Sequence, residues 1–161
     1  MNSLFINSFR NLLIILAVCL VIFSCDPTRV YEENMEVPGQ EWNKNDAMVF
    51  SPEITDSTLI YNVFLNVRNE GGYSYSNIFL FVTTTSPGGQ WIKDTLEMPL
   101  ANSRGKWLGS GIGDLYFNRQ LFKYNVRFPT SGVYTFKIVQ GMRDTDLKGI
   151  RDIGLRLEKA D

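Results

Sequence analysis

Apolar side chains recur at every second position through much of the chain beyond residue 57, and a period of two belongs to β-strands that bury one face. Leu59, Tyr61, Val63, Leu65 and Val67 line one face of a long run, while Thr58, Ile60, Asn62, Phe64, Asn66 and Arg68 line the other. Because Ile60 and Phe64 make the second face partly apolar, this strand is expected to cross the middle of a sheet. In the next clear case Phe122, Tyr124, Val126 and Phe128 alternate with Lys123, Asn125 and Arg127 until Pro129 ends the run. Ser131-Gly132 supplies a turn, and Tyr134, Phe136 and Ile138 then alternate with Thr135, Lys137 and Val139 as the expected hairpin partner. Further strands are expected at Met48–Phe50, Ile78–Thr85, Ile92–Met98 and Ile150–Glu158, the last with Ile153, Leu155 and Leu157 inward. Turn signals at Glu70-Gly71-Gly72, Ser86–Gly89 and Asn102–Gly105 separate them, and a helical turn near Phe117–Leu121 is the only helix expected. About eight two-faced strands must bury one side against a second sheet, so the fold class is all-β: an antiparallel β-sandwich, jelly-roll or immunoglobulin-like.

The other end of the chain has a different character. Met1–Arg10 is mildly polar with one positive charge, and Leu12–Phe23 is an apolar run of twelve residues. A helix crossing a bilayer needs about 20 such residues, whereas a run of this length suits the hydrophobic region of a signal peptide. The run ends in Ile22-Phe23-Ser24-Cys25, with a branched aliphatic residue three before the cysteine and a small one directly before it. That pattern looks like a lipobox, in which a thiol is alkylated with diacylglycerol and the leader is cut away before it. Phe23 is larger than the usual occupant of its position. Cys19 is the competing site, but Val18 is bulky where a small residue belongs, and Cys25 is preferred. Residues 1–24 are therefore read as signal peptide, 25–45 as lipidated cysteine and polar tether with a short first strand near Arg29–Glu32, and 46–161 as the sandwich. An acylated Cys25 leaves the mature chain without a free thiol, so its stability rests on packing alone.

Charge and composition narrow the function. The chain carries 16 Lys and Arg against 17 Asp and Glu, and Arg10 is the one charge of the leader, so the mature part offers no basic surface for nucleic acid. It contains no histidine, which removes the usual proton shuttle near neutral pH and the commonest transition-metal ligand. No cofactor is implied.

Four groups of residues invite a chemical reading. The segment Gly105-Lys-Trp-Leu-Gly-Ser-Gly-Ile-Gly-Asp114 has glycines at alternate positions, which fits neither a P-loop nor a dinucleotide loop. Close backbone contact in a bulge or bend is the better account, and Trp107, Gly111, Gly113 and Asp114 are where a partner surface is expected. Asp94, Glu97 and Asp114 would serve glycoside hydrolysis only if the fold brought two of them together. Asp144, Asp146 and Asp152 lack the spacing of a calcium loop. Trp42, Trp91 and Trp107 with Tyr73 and Tyr75 suggest either a sugar-stacking platform or protein contacts, and a carbohydrate-binding lipoprotein is the alternative function they leave open.

The chain also resembles a known family, the gliding motility lipoprotein GldH of the Bacteroidota. The resemblance runs through Leu65–Asn69, Tyr75–Leu80, Asp94–Glu97, Gly105–Gly109 with Gly113-Asp114, Arg127–Pro129, Gly132–Phe136, Gln140–Arg143 and Gly149–Arg156. It implies a non-enzymatic lipoprotein needed for cell movement over surfaces. Separately from the resemblance, the lipobox sets the expectation of a lipid anchor in the cell membrane or outer membrane, with the domain facing the periplasm. The implied partners are the bilayer, through Cys25, and other envelope proteins of the gliding and secretion apparatus.

Overall fold

The computed structural model describes residues 26–160; the stretch expected to be a signal peptide, and Cys25, lie outside them. The chain folds through β1 (Arg29–Glu36), a 3-10 turn (Pro38–Gln40), β2 (Glu41–Asn43), β3 (Met48–Phe50), β4 (Glu53–Ile54), β5 (Tyr61–Glu70), β6 (Asn77–Thr85) and β7 (Trp91–Pro99). β8 (Leu115–Val126), β9 (Gly132–Val133), β10 (Thr135–Gln140), β11 (Asp146–Lys148) and β12 (Ile150–Lys159) complete it. Two four-stranded antiparallel sheets, β1-β12-β5-β8 and β3-β10-β6-β7, face each other. This interleaved order, in which the last strand returns between the first and the middle ones, is the jelly-roll arrangement rather than the immunoglobulin one.

β5 crosses the middle of its sheet, with Tyr61, Val63, Leu65 and Val67 fully buried. Opposite them lie Ile78, Leu80 and Val82 of β6 with Phe136 and Ile138 of β10, and Ile153, Leu155 and Leu157 point inward from β12. These period-two positions form one core, each side chain contributing about 1.5–3 kcal/mol by leaving water.

Three expectations are corrected. Phe117–Leu121 is not a helical turn but the middle of β8, where Phe117–Leu121 pairs rung by rung with Phe64–Arg68; its mixed side chains suit a strand with one open face. β8 and β10 do not form a hairpin, since β8 pairs with β5 and β10 with β6 and β3. Pro129 has no N–H to continue the ladder, so the chain leaves one sheet there and enters the other, and the rings of Phe128 and Tyr134 meet at 4.7 Å across the crossing. Finally, the stretch read as tether is folded from residue 29 onward. β1 pairs with β12 as far as Glu36, and Trp42 is fully buried with its indole N–H donating to the Asp46 carbonyl at 2.8 Å. β1 is an edge strand, and its run of Glu32, Glu33, Asn34 and Glu36 guards that edge against pairing with other chains while hiding the period-two signal.

The register defines two ends. At the near end Arg29 faces Glu158, Glu158 faces Asn62, and Tyr61 faces Val126; the far end holds Glu70 beside Leu115 and Asn77 beside Pro99. β5 alone separates them by about 30 Å, at ~3.3 Å per residue.

Candidate functional site

The far end carries the glycine-rich segment, which joins β7 to β8. It is not a free loop. Leu108 N–H donates to the Leu100 carbonyl at 2.8 Å, Ser110 and Phe117 exchange two backbone hydrogen bonds of 3.0 and 2.7 Å, and Gly71 N–H donates to the Asp114 carbonyl at 2.9 Å. Asn102 closes the preceding turn, its side-chain oxygen accepting from the Arg104 and Lys106 N–H groups. The alternate glycines follow from this folding back. A Cβ on Gly111 would lie 1.8 Å from the Leu115 carbonyl oxygen, and Gly113 holds φ at +68°, a region that side chains disfavour.

Beneath the segment, aromatic rings stack in a chain. Trp107 lies 5.7 Å from Tyr116 and 6.4 Å from Tyr73, which lies 5.7 Å from Tyr75. Tyr73 is buried and donates its hydroxyl to the Asn77 carbonyl at 3.0 Å; burial pushes its pKa well above the phenol value. Tyr75 donates to Asp144 at 2.8 Å, and that bond to a carboxylate raises its pKa as well. On this footing stand two apolar side chains open to water, Leu108 at 57% and Ile112 at 93% exposure. Beside them a shallow cavity of about 490 Å³ runs between Leu108–Ser110 and Phe117–Gln120. The arrangement has the anatomy of a contact surface: a rigid scaffold, an aromatic base and protruding apolar tips. Gly111→Ala is expected to cost about 2 kcal/mol through the forced retreat of the segment from β8. That loss should speed amide exchange at Ser110 and Phe117 by about 30-fold.

The other groups singled out in the sequence do not assemble. Asp94 is engaged by Lys123 at 2.8 Å and Glu97 accepts from Asn77 at 2.7 Å, on opposite faces of β7, while Asp114 belongs to the far-end segment. Asp146 accepts from Asn43 at 2.6 Å, Asp144 from Tyr75, and Asp152 is buried against Arg68 at 3.4 Å. No group of three Asp, Glu, Cys or His side chains among the described residues is placed to hold a metal ion. The tryptophans are dispersed as well: Trp42 is in the core, Trp107 sits under the far-end segment, and Trp91 stands at the near end, 66% exposed. A flat platform for a sugar is not formed by these three.

Two features escaped the sequence reading. Leu108 and Ile112 stand out only once the backbone is known to turn them outward, although an isoleucine flanked by two glycines outside any strand period is a usable signal. The second is a charged cluster on the outer face of the first sheet. Arg156 is 4% exposed, hydrogen-bonded to Asp26, Glu32 and Glu158, and Arg119 extends the chain of contacts to Glu32 at 2.5 Å and Asn66 at 3.1 Å. The Arg156 hydrogen bond holds the Asp26 carboxyl down at about 2. Burial pushes Glu32 upward, but the hydrogen bond from Arg156 and the charges of Arg119 and Arg156 outweigh it, so its pKa is lowered too.

The domain is thus a jelly roll whose far-end segment, tied down by backbone hydrogen bonds, leaves Leu108 and Ile112 exposed. Residues 29–157 match the GldH lipoprotein family, and the chain belongs to it. It is 39% identical to the gliding motility lipoprotein GldH homolog of Christiangramia forsetii, over 96% of this chain and 99% of that protein. It is 35% identical to the gliding motility lipoprotein GldH of Flavobacterium johnsoniae, over 94% of this chain and 98% of that one.

Proposed function

We propose that this chain is a membrane-anchored, non-enzymatic component of gliding motility. In this reading residues 1–24 are removed as a signal peptide, Cys25 carries the acyl chains, and the sandwich faces the periplasm from the cell membrane or outer membrane. The partners are other envelope proteins of the gliding and secretion apparatus, met through the far-end segment Trp107–Asp114. Kinship over almost the whole chain supports the motility role. The observation that carries the contact role is geometric: the N-terminal residues of the fold enter at one end of the strands, and Leu108 and Ile112 protrude at the other. A bilayer anchor at residue 25 would therefore raise the local concentration of the far end near partners in the same envelope while holding it clear of the lipid.

The test is complementation of a gene deletion in a gliding host. Wild type is expected to restore spreading and adhesin display. The double variant Leu108→Asp, Ile112→Asp is expected to reach the membrane at the same level, with unfolding temperature unchanged because both side chains are already exposed, yet to restore neither. A deletion strain that glides and displays adhesins normally would sink the motility role. A double variant that restores both fully would move the contact surface elsewhere.

A further inference from the structure

At the near end the two sheets gape between their edge strands β7 and β8 and leave a cavity of about 590 Å³ that opens to solvent. Its walls are Val63, Phe122, Val126, Phe128, Tyr134 and Phe136, drawn from both sheets. The gap has a local cause. β8 carries two register shifts against Tyr61–Phe64, and Asn125 holds φ at +52°, so the strand rolls outward and Tyr124, expected inward from its alternation, is 69% exposed. An open volume of this size with apolar and aromatic walls lies in the range of small-molecule sites.

The position of the chain's entry says what stands in front of it. Thr28 already belongs to the ladder, its carbonyl accepting from Lys159 N–H at 2.8 Å, and Asp26 is held by Arg156 and by Thr28. Asp26, the residue that follows Cys25 in the sequence, is thereby fixed at the near end. With acyl chains on Cys25, a point that rests on the proposed function, no tether remains and the near end must lie on the bilayer. The side chains there suit that position. Trp91, Ile92 and Tyr124 are 66%, 59% and 69% exposed, and aromatic side chains with a polar edge favour the membrane interface. Arg127, exposed at the cavity mouth, has no carboxylate partner among the described residues and is suited to a phosphate group.

We propose that this cavity is a lipid site: it takes one acyl chain of a membrane phospholipid, with Arg127 on the headgroup phosphate and Trp91 and Tyr124 at the interface. The occupant is a second molecule and not the protein's own anchor. Asp26 lies on the β1 side of the first sheet, three strand spacings or about 14 Å from β8, and acyl chains on the residue before it would have to be withdrawn from the bilayer to turn back across the sheet end.

The experiment uses the acylated full chain in vesicles of phosphatidylethanolamine and phosphatidylglycerol containing a phospholipid with a diazirine near the end of one acyl chain. After illumination, crosslinks are expected on Phe122, Phe128 and Phe136. They should disappear in Val126→Trp, which fills the cavity from one sheet, and in Thr84→Phe, which fills it from the other, while both variants still float with the vesicles. Crosslinks confined to Trp91, Ile92 and Tyr124 would overturn the site, since the end would then touch lipid with its cavity unused. Crosslinks at Leu108 or Ile112 would overturn the orientation. Labelling of the same cavity residues from diazirine-bearing acyl groups on Cys25, with none from the phospholipid, would overturn the assignment of the occupant. Failure to float would refute the anchor itself, which is separate from a floating protein whose cavity takes no label.

Discussion

Replacing Arg156 by alanine is expected to destabilise the fold by about 3 kcal/mol, because one buried cation satisfies three carboxylates and its removal leaves them facing each other. The guanidinium side chain is 5% exposed, while those of Asp26, Glu32 and Glu158 are 39%, 17% and 21% exposed. The carboxylates thus keep some water, which places the cost at the lower end for a broken buried pair. For a domain of this size the loss should appear as a fall of about 10 °C in unfolding temperature. Arg156→Lys keeps the charge but not the fork that reaches three partners, and should fall between wild type and alanine. An alanine variant as stable as wild type would mean the cluster contributes nothing net.

The same cluster sets the response to acid. Asp26 and Glu32 have folded pKa values below their ordinary ones, so the unfolded chain takes up their protons first as pH falls. Their contribution is fully present above about pH 4.5 and is lost as pH drops through the folded values, which for Asp26 means about 2. Asp152 acts in the other direction. Burial raises its pKa, with one oxygen unpartnered against the charge of Arg68, so the fold regains stability as this group is protonated on the way down to its unfolded value. Wild type should therefore be flat or slightly firmer from pH 6 toward 4 and then weaken steeply toward 2. In Arg156→Ala the steep limb should flatten, which a thermal-unfolding series across pH measures directly.

What could be read in the sequence was what period two records. β5, β6, β10 and β12 bury one face against a continuous apolar partner, so their alternation is clean and their inward residues could be named. β1 and β8 are edge strands and follow a different physics. β1 uses charges to guard its edge and to seat Arg156, and β8 presents Asn118 and Gln120 opposite Val67 and Leu65 before its register shifts, so alternation reports neither strand well. Pro129 announced the end of a strand correctly but not that the chain changes sheets there, since a proline fixes a torsion and a missing donor, not a destination. The glycine segment was legible as a place of close backbone contact, while the partners of that contact, Leu115 and Phe117, depended on the fold. Arg156 was hidden because its three acids lie up to 130 residues away in the chain.

Replacing Cys25 by alanine is expected to move the protein entirely from the membrane to the soluble fraction without changing its fold. Each methylene of an acyl chain contributes about 0.8 kcal/mol in the bilayer, so losing two or three chains removes far more than any surface contact of the near end supplies. The fold should be indifferent. Among the described residues the first contacts are those of Asp26, which is tied to Arg156 and Thr28, and the core contains no cysteine. Intact mass should show the wild type beginning at residue 25 and carrying acyl groups, with the variant lacking them and the two domains unfolding at the same temperature. Placing a ten-residue Gly-Ser spacer between Cys25 and Asp26 separates attachment from position: the protein should still float with membranes, but its near end would no longer be held against the lipid. Spreading that survives the spacer would mean that anchoring alone suffices. Spreading that is lost while membrane attachment persists would mean that the short link between the acyl chains and the edge of the sheet is itself part of how the far end is presented to its partner.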